Sequence, residues 1–219
     1  MIAWLFGSMT EPWAGGDVHA GPPALVLREL FGDERKAAIE QIRSEHYTHS
    51  VPSGKSYYYA YGPAIVVFSI PANQFVGPFL FGRKRDVWEL SRLWAPDGHE
   101  RNLLTRAISQ AVRSFRRQEP KAWALVSYAD PNVGHAGTVY RAASWLPCGQ
   151  VEEARYYRAP DGTVVSRRKF HSGGTSLTKA QIIARGYTET KQPGRFRFCL
   201  PFCRTARREF RKKWEGGAS

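Results

Sequence analysis

The chain has 219 residues, 42% of them hydrophobic, which is enough for one well-packed domain and excludes an intrinsically disordered chain. Its formal net charge of +13 fits a polyanionic partner, because lysine and arginine displace the counterions condensed on phosphates. Three cysteines, Cys148, Cys199 and Cys203, are too few and too odd in number for a disulfide framework, so a reducing compartment is expected.

The opening MIAWLFGSMTEP lacks a basic leader region and its apolar run is short for a signal peptide. No stretch reaches the roughly 18 apolar residues of a membrane span, so no membrane partner and a cytoplasmic location are expected. Residues 1–22 hold several Gly and Pro and read as an irregular arm. ALVLREL (24–30) reads as a first strand. Asp33 is placed to cap a helix running to about Glu45, with Ala37, Ala38, Ile39 and Ile42 on its inner side. The polar loop EHYTHSVPSGKS follows, broken by Pro52 and Gly54. KSYYYAYG and AIVVFSIP read as two strands of a hairpin joined at Gly62-Pro63. A third apolar run, FVGPFLFG, is expected as another strand leading to the charged turn Arg83-Lys84-Arg85, and DVWELSRLW (86–94) as a central strand.

From His99 to about Arg117, apolar residues at Leu103, Leu104, Ala107, Ile108, Ala111, Val112 and Phe115 mark a helix with one apolar face. AWALVSYAD (122–130) is a buried strand and GHAGTVYRAASW (134–145) a short helix. QVEEARYYRAPDGTVVSRRKF is a hairpin turning at Asp161-Gly162. SLTKAQIIARG (176–186) is a capped helix closed by Gly186, FRFCLP a short strand and RTARREFRKKW (204–214) a basic last helix. From Pro160 onward there are fourteen Lys and Arg against four Asp and Glu, so the last quarter carries +10 of the net charge. The fold class is therefore α+β, a mixed central sheet flanked by helices. The expected division is a catalytic core at 23–160 and, at 161–219, a basic C-terminal extension packed on the core and gripping DNA. This layout fits the Gcn5-related N-acetyltransferase architecture, in which a donor's pyrophosphate sits between a central strand and a long helix, and its pantetheine arm in a groove where two parallel strands splay.

Four constellations can carry chemistry. Gly98, Arg101 and Asn102 stand where backbone amides at a helix start hold an anion, although no second glycine follows Gly98. Arg92 lies inside a strand and needs a partner or an anion, either in a site or in a scaffold ion pair with Asp130 or Glu89. Asp130 ends a buried strand and Tyr140 follows on the next helix; the pair could supply a base and a proton donor, or a turn cap and a core ring. His46-Tyr47-Thr48-His49 could work on an amine, hold a metal through His46 and His49, or simply be solvated. The run ending Gly54-Lys55-Ser56 is not a phosphate loop, since its first glycine is missing and a strand follows. Tyr57, Tyr58, Tyr59 and Tyr61 alternate along that strand, so one face could stack a flipped base while the other is core.

Taken in order, EHYTHSVPSGKSYY, WELSRLW, LVSYADP and GHAGTVYRAASW resemble the Mom family of phage DNA-modification proteins over about residues 44 to 150. The resemblance implies an acetyltransferase-like enzyme that converts adenine in double-stranded DNA to a carbamoylmethyl derivative on its exocyclic amine, protecting phage DNA from host restriction. It implies His46, Tyr47, Arg92, Asp130 and Tyr140 as functional residues, an acyl-CoA or another activated acyl or aminoacyl donor, and iron. DNA contacts are expected from Arg83, Lys84 and Arg85 and from Arg204, Arg207, Arg208, Arg211, Lys212 and Lys213. An N-acetyltransferase acting on a small amine or a protein, and a non-catalytic DNA-binding protein, are the alternatives.

Overall fold

The computed structural model describes residues 25–172 and 175–214, so the expected arm at 1–22 lies outside the described residues. Strand β1 (Leu27–Glu29) leads into helix α1 (Gly32–Glu45), which Asp33 enters rather than caps. Strands β2 (Ser56–Tyr61) and β3 (Ala64–Ser69) form the expected antiparallel hairpin around Gly62. Helix α2 (Val76–Phe81), strand β4 (Val87–Trp94), helix α3 (Leu103–Gln118), strand β5 (Ala124–Ala129) and helix α4 (Thr138–Ala142) complete the middle of the chain. Then come β6 (Leu146–Gln150), β7 (Ala154–Arg158), β8 (Val164–Ser166), β9 (His171–Ser172), β10 (Thr175–Ser176), α5 (Lys179–Ala184), β11 (Thr188–Gln192), β12 (Phe196–Pro201) and α6 (Arg204–Trp214).

Seven strands form the central sheet in the order β1-β2-β3-β4-β5-β12-β6, antiparallel except for the central pair β4–β5. Helix α3 buries Leu103, Ala107, Ile108, Ala111, Val112 and Phe115 against the face formed by Tyr59, Val66, Phe68, Trp88 and Leu125. On the opposite face α1 packs Ala38 and Ile42 on Tyr58, Ala60 and Val67. Farther along that face, Leu80 and Phe81 of α2 and Ala206 and Phe210 of α6 cover Val87, Val126 and Cys199. Each of the larger buried side chains contributes roughly 1.5–3 kcal/mol before the entropy of ordering the chain is subtracted. A pocket opens where β4 and β5 part, between the end of α1 and the loop after it on one side and Leu104 of α3 and the start of α4 on the other.

Several expectations are corrected. FVGPFLFG is a helix: Asn73 Oδ1 accepts from the Phe75 amide at 2.9 Å, Pro78 falls in the first turn where its missing N–H costs nothing, and left-handed Gly82 closes the end. The helix expected over 134–145 shrinks to Thr138–Ala142, because left-handed Gly134 and Gly137 stop the chain from coiling earlier. Helix α3 begins at Leu103, after the turn 97–102. Tyr58, Tyr59 and Tyr61 are all buried and Tyr57 hydrogen-bonds Glu119, so neither face of β2 is open to a base. The charge boundary at 160/161 is no structural break, since β12 inserts between β5 and β6 of the central sheet. Among the described residues no helix is long and apolar enough to cross a membrane.

Candidate active site

The parallel pairing of β4 and β5 lasts only from Val87–Ala124 to Glu89–Val126. Beyond that point the strands part, and the Ser127 hydroxyl reaches across to donate to the Leu90 carbonyl at 2.9 Å. On the other side of β4 the register with β3 slips: Val67 faces Arg92 and Phe68 faces Leu90, leaving Ser91 as an extra residue. Its hydroxyl donates to the Val67 carbonyl at 3.1 Å. The bulge resets the alternation, so Trp88, Leu90 and Leu93 pack toward α3 while Glu89 and Arg92 turn to the same opposite face. Without it, residues three apart on a strand would point to opposite sides.

A cavity of about 530 Å³ occupies the gap. Its apolar wall is Leu90, Leu93, Leu104, Ala129 and Val139; its polar wall is His46, Tyr47, Glu89, Arg92, Tyr128, His135, Tyr140 and Arg195. Burial pushes the Glu89 carboxyl above the ordinary value, opposed by the nearby Arg195 and Arg92. Burial also pushes the Tyr140 phenol up to about 12, opposed by a hydrogen bond with Ser127. Tyr140 packs against the tilted rings of Trp145 and Phe198, at centroid distances of 5.5 and 5.2 Å, which fixes its direction.

The loop after α1 forms the other side. His46 is 7% exposed, and burial lowers its pKa to about 4, helped by the positive charge of Arg92. The Thr48 amide donates to Nδ1 at 3.1 Å, so the neutral ring carries its proton on Nε2. Tyr47 packs between His46 and His135, with ring centroids 4.5 and 5.2 Å away, and burial raises its pKa, with the charge of Asp130 adding to the effect. Arg92 binds this loop to the sheet: its Nε donates to the Ser50 carbonyl at 2.6 Å and a terminal nitrogen to the Ser50 hydroxyl at 3.0 Å.

The structure thus brings His46, Tyr47, Arg92 and Tyr140 onto one cavity. Asp130 is not on its wall; the carboxylate accepts from the Asn132 amide at 3.0 Å and the Asn132 side chain at 2.8 Å, capping the turn Pro131–Val133. Among the described residues three carboxylates line the wall, the exposed Glu45 and Asp97 and the partly buried Glu89; Glu89 was considered from sequence only as an ion-pair partner. A charged residue inside the apolar run VWELSRLW was the available signal. Arg195 had no signal, because it comes from a segment 103 positions after Arg92.

Gly98 and Asn102 both adopt left-handed conformations and lead to an α3 N-terminus that has no side-chain cap. Arg101 is exposed beside it, and Asp97 and Leu104 on either side of this turn reach the cavity. Iron is a poor match to the residues present. Among the described residues no three His, Cys, Asp or Glu side chains converge, His46 Nδ1 is taken by Thr48, and His49 Nδ1 pairs with the Arg43 carbonyl at 2.9 Å. Lys55 of the run ending Gly54-Lys55-Ser56 is ion-paired with Glu119.

Of the expected DNA contacts, Arg83 and Arg85 are both ion-paired with Glu209 of α6. Lys213 donates to the Pro78 and Phe79 carbonyls. Lys84, Arg204, Arg207, Arg208, Arg211 and Lys212 have exposed positions. Helix α6 buries Ala206 and Phe210 and turns its basic residues outward, on the sheet face where Glu89 and Arg92 line the cavity.

The model of the Mom protein family matches residues 33–215. Methylcarbamoylase mom of Escherichia phage Mu is 38% identical over 72 residues, a stretch that covers 33% of this chain and 30% of the phage protein. A Bacillus subtilis acetyltransferase solved in complex with CoA superposes with a TM-score of 0.41 and 9% identity, over 82% of this chain and 99% of its own. A CoA-dependent acyl-homoserine lactone synthase gives 0.41 and 12%, over 89% of this chain and 96% of its own. These superpositions are loose and share little sequence.

Proposed function

The chain belongs to the Mom protein family, and on that premise we propose that it is a transferase that modifies adenine in double-stranded DNA at the exocyclic amine. The observation that carries this reading is a partly buried carboxylate, Glu89, at the parting of two parallel strands, sharing one cavity with a phenol, Tyr140, that stays protonated at neutral pH. An adenine amine is a poor nucleophile, because its lone pair is delocalised into the ring. A base and close positioning are both needed. The target is out of reach inside a duplex, so it swings out of the stack at a cost of a few kcal/mol.

In this reading the flipped adenine enters by the polar wall. The Nε2–H of neutral His46 and the Tyr47 ring orient it. As the amine nitrogen bonds to the donor's electrophilic carbon, its proton passes to Glu89. The bond from that carbon to the leaving group breaks, and Tyr140 gives its proton to the departing atom. Arg92 and Arg195 hold Glu89 ionised often enough to act, against the burial that favours its neutral form. Asp130 shapes the rim of the site and adds its charge beside Tyr47.

The donor is read as an activated acyl or aminoacyl compound, such as an acyl-CoA, lying along the apolar wall with its anionic part toward the uncapped start of α3 and Arg101. Transfer at an acyl carbonyl yields an acylated adenine amine, and transfer at a methylene that carries both the leaving group and a carboxamide yields the carbamoylmethyl-type adenine; the modified base is made in the host cytoplasm and shields phage DNA from restriction. Exposed Lys84, Arg204, Arg207, Arg208 and Lys212 contact the DNA backbone, with Arg211 and Lys213 beside them. The test is enzymatic digestion of plasmid DNA from expressing cells, followed by nucleoside mass spectrometry. A new deoxyadenosine derivative is expected; an unaltered nucleoside profile would contradict the reading.

A further inference from the structure

Helix α2 buries Leu80 and Phe81 but leaves Phe79 40% exposed and Phe75, at its start, 65% exposed. A ring placed only for packing would be covered as its neighbours are. Phe79 is instead built into a row of cations and rings. The Arg197 guanidinium lies 4.0 Å from its centroid and 5.9 Å from that of Tyr128, which lines the cavity. Arg195, also on the cavity, stands 5.1 Å from the Tyr128 ring. On the outer side Trp214 is 5.3 Å from Phe79 and the Lys213 ammonium 5.4 Å. Lys213 is fixed there by the carbonyls of Pro78 and Phe79. The Nε of Arg197 is buried without a hydrogen-bond partner, and a terminal nitrogen donates to the Cys148 carbonyl at 3.4 Å, so one hydrogen bond and the two rings together hold this guanidinium in place.

We propose that Phe79, backed by Arg197 and flanked by Lys213, is a stacking subsite for the base of the nucleotide next to the one held in the cavity. This deepens the function proposed above and rests on it. Only the Arg197 guanidinium lies between the Phe79 ring and Tyr128 of the cavity wall, 4.0 Å from the first centroid and 5.9 Å from the second, which puts the ring close enough to serve the neighbouring nucleotide. Every base has a face that stacks on an aromatic ring, while Lys213 on the outer side of the ring meets the phosphate beyond that base. Extrusion of the target unstacks its neighbour on that side, and Phe79 replaces the lost stacking partner.

The test uses the full chain and five-nucleotide single-stranded DNA, dT-dT-dA-dT-dT, labelled for fluorescence anisotropy. Two further oligonucleotides carry an abasic site on the 5′ or the 3′ side of the adenine. Wild type should bind one abasic oligonucleotide about tenfold more weakly than the intact one. Phe79→Leu keeps an apolar side chain against Trp214 but cannot stack. It should bind the intact oligonucleotide about tenfold more weakly and lose nothing further with the abasic one. Phe79→Tyr should restore the wild-type pattern. Equal binding of all three oligonucleotides by wild type overturns the proposal, whether or not Phe79→Leu folds. So does a Phe79→Leu protein that still pays the full abasic penalty. Failure of the underlying reading shows separately, as wild type that leaves no modified nucleoside in DNA.

Discussion

Glu89 lies between the buried Trp88 and Leu90 on β4 but turns to the cavity, and its partial burial there raises the pKa of its carboxyl. A carboxyl whose pKa is raised on folding favours the folded chain at low pH, and that advantage is lost as pH rises through the folded value. His46 has the opposite sign. Its folded pKa of about 4 lies below the unfolded value of 6.5, so its contribution is intact above pH 6.5 and fades as pH falls toward 4. Replacing His46 with Gln should therefore shrink the drop in melting temperature between pH 7 and pH 4.5, read by circular dichroism. An unchanged drop would mean that His46 titrates normally. Asp130 acts as a cap: Asp130→Ala should cost about 1 kcal/mol in denaturant melts, whereas Asp130→Asn, whose side-chain oxygen also accepts from the Asn132 amide, should keep most of it. Equal losses in the two variants would show that the charge, not the cap, stabilises the turn.

At the scale of elements, the helices and strands that frame the site are legible in the sequence and the irregularity that completes it is not. The long apolar stripe of α3, the β2–β3 hairpin and the buried run of β5 show plainly in the sequence, because their periods repeat over enough residues. The Ser91 bulge does not, since a strand with one extra residue has no sequence mark, and it is this bulge that joins Glu89 and Arg92 on one face. FVGPFLFG hid its helix for a related reason: eight mostly apolar residues carry no period, and Pro78 disfavours a helix everywhere except the first turn, where it lies. The turn into α4 is sterically tight. Gly137 has φ +76°, and a Cβ there would lie 2.3 Å from the Phe198 ring, which itself supports Tyr140. Gly137→Ala should cost about 1–3 kcal/mol and lower DNA modification more than tenfold by moving Tyr140. A wild-type melting curve and rate would show that the turn yields freely.

Across the whole molecule, net charge signalled a polyanion but not which cations are available to it. Arg83 and Arg85 had the same standing in sequence as Arg204 and Arg207, yet the first two are paired with Glu209, an acid over 120 residues away. Replacing Arg204, Arg207, Arg208 and Lys212 together with Gln should lower the slope of log K against log salt for duplex DNA by about 3 to 4. Arg83→Gln should leave the slope nearly unchanged. Equal effects per residue would show that the ion pairs open when DNA binds. The same scale explains why Glu89 outranks Asp130 in the structure though not in the sequence. Asp130 stands at a visible strand end, whereas the importance of Glu89 arises from β5, α1 and the segment before β12 closing around it.

The most direct measurement is the rate of DNA modification by Glu89→Gln beside its melting temperature at pH 8. Glutamine has nearly the same shape but cannot accept the amine proton. The rate should fall by a factor of about 100 or more, while the variant melts no lower than wild type at pH 8, because no carboxylate has to stay ionised there against its burial. Modification at the wild-type rate by a folded Glu89→Gln protein would contradict the account.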